Sequence, residues 1–182
     1  MKKILISCIC LLLLLSFCAC GSSGVDISKI ESDETYPEGP GSLDTVYTNF
    51  EELAKASSLI AEVEIQDTYV VLLDGFPQTH STTKVLDILV GTEASDVIEV
   101  IEEGGATEKG IAVVGVPVME AGGKYILFLA GGDGVYYITG AFQGKFIERD
   151  GFAFQQKTED VGLTNYSPIS IDAFKELTRG IK

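Results

Sequence analysis

The sequence predicts a mainly β protein, built as a small antiparallel barrel or sandwich with a short N-terminal helix and a C-terminal helix. From Leu59 onward apolar residues alternate with polar ones, which is the two-residue period of a half-buried strand. Glycine-rich turns separate several such runs, as expected for the short strands of a barrel or sandwich. The strands predicted in this way are 59–73, 82–90, 97–101, 125–130, 135–139 and 142–148.

Two short helices flank these strands. Thr48 and Glu51 match a capping box, in which the hydroxyl accepts from the Glu51 amide and the carboxylate reaches back. This first helix is predicted to end near Ser57. Ser170 is the predicted cap of the C-terminal helix, which should stop at Gly180. The apolar faces of the two helices consist of Phe50, Leu53 and Ala54, and of Ile171, Phe174 and Leu177.

The N-terminus has the layout of an export signal. Lys2 and Lys3 precede an apolar run that ends in small residues around Cys20. Ala19 before the cysteine and Gly21 after it resemble a lipobox, in which the cysteine is acylated, as with palmitate, and becomes the new N-terminus. The alternative, an uncleaved membrane-spanning helix, needs about 20 apolar residues, and the run is somewhat shorter. We therefore expect lipid attachment at Cys20 and a cell-membrane location on the extracytoplasmic side.

The predicted organisation is a signal peptide at 1–19, a lipidated acidic flexible linker at 20–45 and a single β-rich domain at 46–182. The linker is rich in Gly, Ser and Pro and has no sustained apolar period. All four cysteines lie at positions 8, 10, 18 and 20. The domain therefore has no thiol, which excludes a disulfide, a zinc–cysteine site and a cysteine nucleophile within it.

The charge of the mature chain excludes one class of partner. Removing residues 1–19 takes away Lys2 and Lys3 but no acid, so 13 basic residues become 11 against 27 acidic ones, a net charge of −16. Nucleic-acid binding depends on neutralising phosphates with Lys and Arg, so no nucleic-acid partner is expected.

Several short motifs resemble catalytic or phosphate-binding sites, but their sequence context does not favour those functions. His80 is the only histidine and is expected at a loop or at the start of a strand. Ser81 and Lys84 match S-x-x-K, but in a strand residues three apart point to opposite faces. Gly104–Gly110 and Gly122-Gly123-Lys124 lack the full phosphate-loop pattern, so they are interpreted as turns.

Carboxylates and aromatic residues leave weaker alternatives open. Glu62 with Glu64, or Glu102 with Glu103, could supply half of a hydrolase pair or oxygens for calcium, although solvated strand faces are the simpler interpretation. The aromatic cluster should be half core, which leaves Tyr136 or Tyr137 as its outward member. The cluster is Tyr136, Tyr137, Phe142, Phe146, Phe152 and Phe154.

The order of strand motifs resembles a group of uncharacterised extracytoplasmic bacterial domains. The matching segments are 59–63, 85–91, 104–105, 123–129 and 140–146, with Val90 where that group has lysine. The same order is more distantly similar to the OB-like barrel of netrin-type and metalloproteinase-inhibitor modules. The resemblance implies an OB-like barrel. It does not carry over the inhibitors' use of a free N-terminal cysteine, because Cys20 is expected to be acylated and distant from the barrel.

These observations predict a membrane-anchored lipoprotein whose β domain binds a protein or small ligand without catalysis. No catalytic residue, cofactor or metal is predicted, and the ligand is left open. The loops Gly104–Gly110 and Gly131–Gly134 are the expected contact surface. The alternatives are a carboxylate-dependent extracytoplasmic hydrolase and an accessory subunit of an envelope complex.

Overall fold

The computed structural model describes residues 35–36, 45–93, 95–108, 110–158, 163 and 167–181. All of them belong to one compact unit, Ser32–Lys182. The predicted signal peptide, Cys20 and all of the predicted linker except residues 35, 36 and 45 lie outside the described residues.

The described chain consists mostly of strands. In order, its elements are β1 (Thr35–Tyr36), α1 (Phe50–Lys55), β2 (Leu59–Leu73), β3 (Phe76–Val90), β4 (Val97–Thr107), β5 (Gly110–Val113), β6 (Lys124–Gly132), β7 (Val135–Ile138), β8 (Lys145–Arg149), β9 (Phe152–Gln155), β10 (Lys157–Thr158), β11 (Ile169–Ser170) and α2 (Ile171–Arg179). Neither helix is long and apolar enough to cross a membrane, within the residues described.

Five strands close into a barrel, in the order β2-β3-β4-β7-β6 and back to β2. Four of these pairings are antiparallel, and β4 pairs with β7 in parallel. The sheet continues outside the barrel through β8, β9 and β11 on one side and β5 on the other. The mainly β prediction is confirmed, and a closed barrel consistent with an OB-like fold is the form it takes.

The two faces of the barrel wall pack into two separate cores. Leu59, Ala61, Val63 and Ile65 of β2 point into the barrel, where they meet inward residues of β4, β6 and β7. Ile60 points the other way, toward the two helices. That second core is built on the rings of Phe50, Phe128, Phe146 and Phe174, with contacting centroids 5.1–5.9 Å apart. Strict alternation thus lets one strand serve both cores.

The first helix begins one residue later than the sequence predicted. Asn49, not Thr48, is its N-cap: the Asn49 Oδ1 accepts from the Glu52 amide at 2.9 Å. The Glu52 carboxylate reaches back to the Thr48 amide at 3.3 Å and accepts from the Thr48 hydroxyl at 3.0 Å. The reciprocal cap therefore uses Asn49 and Glu52 in place of Thr48 and Glu51. The predicted buried face of Phe50, Leu53 and Ala54 is confirmed.

The C-terminal helix is as predicted. The Ser170 hydroxyl accepts from the Ala173 amide at 3.3 Å, Phe174 is fully buried, and Gly180 is the C-cap.

Strand boundaries differ from the prediction, most of all at β3, β4 and β8. β3 starts at Phe76 and not at 82, because its pairing with β2 continues to Leu73 opposite Phe76, with Pro77 inside the strand. β4 continues through Gly104 and Gly105, where a Cβ would come within 2.7 Å of the Ala112 carbonyl and 2.5 Å of the Thr79 hydroxyl. These glycines permit close packing inside the strand, so β4 does not end at them. β5 and β9 were not among the predicted strands, nor were the two-residue strands β1, β10 and β11, and β8 begins at Lys145, since Phe142 lies in the preceding turn.

Candidate functional site

The hairpin formed by β2 and β3 projects beyond the barrel. Pairing of β2 with β6 ends at Glu64, opposite Lys124. Pairing of β2 with β3 continues to Leu73, opposite Phe76. Residues 66–73, the projecting edge, therefore have β3 on one side, and no described strand pairs with them on the other. Backbone N–H and C=O groups along such an edge are available to another chain.

The projecting edge is apolar as well as open. Its five consecutive exposed apolar residues are Tyr69, Val70, Val71, Leu72 and Leu73, which are 38–61% exposed. Phe76, across the turn, is 47% exposed. No charge interrupts the run from Thr68 to Leu73. Natural edge strands are usually protected by charges, proline or a covering segment, so an unprotected apolar edge indicates an interaction surface.

The outer face of the barrel continues from this edge. A row of residues crosses four strands because Tyr69 pairs with His80, His80 with Ile101, and Ile101 with Tyr137. Tyr137 is 54% exposed, whereas Tyr136 is buried in the barrel. Tyr137 is thus the outward member of the predicted aromatic cluster.

A compact polar cluster lies where the hairpin joins the barrel. The Tyr69 hydroxyl donates to Glu99 Oε1 at 2.7 Å, and His80 Nδ1 lies 2.9 Å from the same oxygen. The Tyr69 and His80 rings stack with centroids 5.1 Å apart. Hydrogen bonds from His80 and then Tyr69 lower the pKa of Glu99, and the bond to Glu99 raises the pKa of Tyr69. Glu99 is therefore a carboxylate at neutral pH.

The position predicted for His80 was wrong. It is not a loop or strand-start residue but lies within β3, half-buried, between strands β2 and β4. Ser81, beside it, is fully buried while Lys84 is exposed, so the S-x-x-K residues lie on opposite faces, as the sequence indicated.

A cleft of about 210 Å³ opens next to this face. Its lining includes Ile101 and Tyr137, the last pair that joins β4 to β7, so the cleft lies where these two strands diverge. The remaining lining residues are Gln78, Glu102, Glu103, Val114, Val116, Ile138, Ala141, Phe142 and Lys145.

A buried ion pair borders the cleft. Lys145 Nζ lies 2.5 Å from Glu102 Oε1, and their side chains are 1% and 7% exposed. Lys145 also donates to the Pro117 carbonyl at 2.7 Å, and the Met119 amide donates to Glu102 Oε2 at 2.8 Å. The expectation of a solvated Glu102-Glu103 pair is wrong for Glu102. Glu103 is exposed, as expected.

The other residues that the sequence singled out are structural. Lys175 lies 2.7 Å from Glu62 and 2.9 Å from Asp87, and these carboxylates raise its pKa, Glu62 first. Glu64, beyond it on β2, is half-buried. Gly122 lies in a turn, as predicted, whereas Gly131 and Gly132 end β6 and only Asp133 and Gly134 form the turn to β7. Among the described residues, no group of three or more His, Cys, Asp or Glu could hold a metal ion.

No protein-family model matches the chain, and no curated protein matches it. The function is therefore inferred from the projecting edge, the outer face and the cleft. Neither the projecting edge nor Lys145 was predicted from the sequence. The uncharged apolar run ahead of Asp74-Gly75 is a sequence signal that indicates such an edge.

Proposed function

We propose that the protein is a lipid-anchored, extracytoplasmic binding protein that recognises a partner protein by strand addition. The observation that carries this proposal is the projecting edge, which is open, apolar and without charge from Thr68 to Leu73. A partner strand at 66–73 would extend the hairpin by one strand. Main-chain hydrogen bonds then supply affinity and alternate side chains supply specificity.

The side chains of the projecting edge are arranged for such recognition. Tyr69, Val71 and Leu73 share the outer face with their β3 partners, and Val70 and Leu72 point to the opposite face. Each ladder hydrogen bond contributes roughly 0.5–1.5 kcal/mol net, and burying a half-exposed apolar side chain adds about 1 kcal/mol. Several of each are enough for a specific complex.

The charge of the outer face indicates the chemistry of the partner. Asp67, Glu99 and Glu103 lie on this face, and Glu99 is held as a carboxylate by His80 and Tyr69. The mature chain is strongly acidic as a whole. The complementary partner is an extended apolar segment with basic residues next to it, because opposite potentials speed association and exclude other partners.

The proposed lipid on Cys20 restricts where that partner lies. A flexible linker of this composition reaches roughly 25–30 Å root-mean-square from its anchor. The partner is therefore another protein at the same membrane surface, which agrees with an accessory role in an envelope complex. A hydrolase is less well supported, because Glu62 and Glu102, each offered by the sequence as half of a catalytic pair, form ion pairs with lysines.

A crosslinking experiment tests the proposal in cells. A photoreactive amino acid replaces Leu72 in the projecting edge, and the matched control replaces Glu176, an exposed residue of α2. We expect one discrete protein adduct from position 72 and none of that mass from position 176. The same adduct from both positions would contradict recognition at the edge.

Binding of the purified partner then tests strand addition itself. We expect the amides of 66–73 to become protected from hydrogen exchange in the complex. The double substitution Val71→Thr with Leu73→Thr keeps strand propensity but removes apolar contact, and should weaken binding about ten-fold or more. Ile111→Thr, the same kind of change at a more exposed apolar residue of β5, is the control. Unchanged affinity in the double variant, or protection only elsewhere, would refute the mode of binding.

A further inference from the structure

The cleft between β4 and the turn after β7 combines apolar walls with a buried ion pair. Its walls include Ile101, Val116, Ile138 and Phe142. Lys145, which also lines it, has a side chain only 1% exposed and touches Glu102. Apolar walls with a few fixed polar groups are typical of a small-molecule site. The projecting edge does not contribute to this cleft, so the two surfaces are separate.

The ammonium of Lys145 has one donor left to offer. A lysine carries three N–H groups. Glu102 Oε1 and the Pro117 carbonyl accept two of them, and no described residue accepts the third. An unsatisfied donor on a buried charge is unfavourable, so an acceptor atom in the cleft is stabilised there. Both Glu102 oxygens are already used, by Lys145 and by the Met119 amide.

The charges around the cleft select against ions of either sign. Lys145 and Glu102 compensate each other, so a cationic ligand would approach the lysine without gaining a free carboxylate inside. An anionic ligand would compete with Glu102 and pass Glu103, which lines the cleft and is exposed. An uncharged ligand with a hydrogen-bond acceptor avoids both repulsions.

The size of the cleft limits the ligand to about one ring. An apolar protein cavity of about 150 Å³ is large enough for benzene. The cleft has about 210 Å³, which leaves room for one polar substituent beside the ring. Phe142 and Tyr137 provide aromatic surfaces against which such a ring can pack.

We infer that this cleft binds an uncharged ligand of about one six-membered ring whose carbonyl or hydroxyl oxygen accepts from Lys145. The ring lies against the apolar walls, and the oxygen accepts a hydrogen bond from the third N–H of the buried ammonium. This site is independent of the strand-addition surface, so a failure of either leaves the other standing.

Four probes that each carry a single benzene ring test the inference: benzamide, toluene, benzoate and benzamidinium. Each is titrated into the nitrogen-15-labelled mature chain, residues 20–182 with Cys20→Ser, which contains every described element. We expect saturable shifts of the cleft amides with benzamide at a Kd on the order of 1 mM. Toluene should bind at least about five-fold more weakly because it has no acceptor, and both ions more weakly than benzamide.

Two variants assign the binding to the cleft and to Lys145. Val114→Phe fills the cleft and should abolish binding, whereas Val135→Phe, an exposed valine outside the cleft, should not. Lys145→Met combined with Glu102→Gln removes both charges, and benzamide should then lose its advantage over toluene. If a variant does not fold, the four-probe series on the unaltered chain decides. Scattered or unsaturable benzamide shifts, or equal binding of either ion, would overturn the inference.

Discussion

At the scale of single residues, removal of the Lys145 side chain should strongly lower the free energy of unfolding. It is 1% exposed and compensates Glu102, which is 7% exposed. Lys145→Met leaves that carboxylate buried without a counter-charge, and we expect a loss of about 3–5 kcal/mol in the free energy of unfolding. The combined Lys145→Met and Glu102→Gln variant should recover most of the loss. Urea unfolding of the unaltered protein, the two single variants and the double variant measures both effects. A double variant as unstable as Lys145→Met would contradict the pairing.

Tyr136 should make stability depend on alkaline pH. Its hydroxyl donates to Glu93 Oε2 at 2.6 Å; burial first, then this bond and the nearby carboxylates, raises its pKa to about 12. In the unfolded chain the pKa is about 10, so the folded state holds the proton more tightly. The resulting stability is present below pH 10 and is lost as pH rises through 12. It amounts to on the order of 2 kcal/mol.

Tyr136→Phe should therefore reduce the fall in unfolding free energy between pH 10 and 12, and the fall that remains belongs to other groups with raised pKa values, such as Tyr125 and Lys175. Urea titrations at several alkaline pH values measure this slope. Tyr137→Phe is the matched control, because Tyr137 is 54% exposed. A slope as steep in Tyr136→Phe as in the unaltered protein would contradict a contribution from Tyr136.

The ion pair of Lys145 with Glu102 shows what could not be predicted from the sequence. Within β4 the two-residue period that points Ile98 and Val100 inward also points Glu102 inward and Glu103 outward. The sequence did not indicate that β4 continues through these acids, nor that Lys145, 43 residues further on, supplies the counter-charge for the buried Glu102. A pattern of spacing cannot anticipate such a partner, because it arises only when β4 and the start of β8 come together.

At the scale of elements, the corrected cap of α1 gives a direct test. Asn49→Ala removes the acceptor for the Glu52 amide and should lower the unfolding free energy by about 1 kcal/mol. Thr48→Ala removes exposed hydroxyl contacts with the Glu52 carboxylate and the Asn49 side chain but leaves the Glu52 amide capped, so its effect should be smaller. Thermal or urea unfolding compares them. A larger loss in Thr48→Ala would restore the cap that the sequence first indicated.

Elements with a clear period were predictable. The alternation of β2 and the one-sided apolar faces of α1 and α2 identify both cores, since burial of one face is encoded locally. The extension of β3 back to Phe76 was not predictable, because Asp74 and Gly75 before Phe76 and Pro77 after it resemble a turn. β5 was missed for a related reason, as Gly104 and Gly105 suggested an end to β4 where packing against Ala112 requires glycine.

At the scale of the whole molecule, the predicted lipid on Cys20 can be tested against the alternative of an uncleaved membrane-spanning helix. Mass spectrometry should find the mature N-terminus at Cys20 carrying acyl chains. Cys20→Ala should leave an uncleaved precursor without that lipid, because the acceptor thiol is gone. Cys18→Ala should change neither result. An unmodified Cys20, or an intact Met1 in the membrane fraction, would contradict lipid anchoring.

The parallel pairing of β4 with β7 has a kinetic consequence. The proposed export delivers the chain with its N-terminus first, so β2, β3 and β4 emerge before β6 and β7. Three strands can form a meander at this stage, but they cannot exclude water from the inner residues until Val135–Ile138 joins β4. Contacts between residues distant in sequence form slowly, typically in milliseconds to seconds for barrels of this kind. The nascent domain therefore stays open along one seam until the segment that carries β7 has emerged.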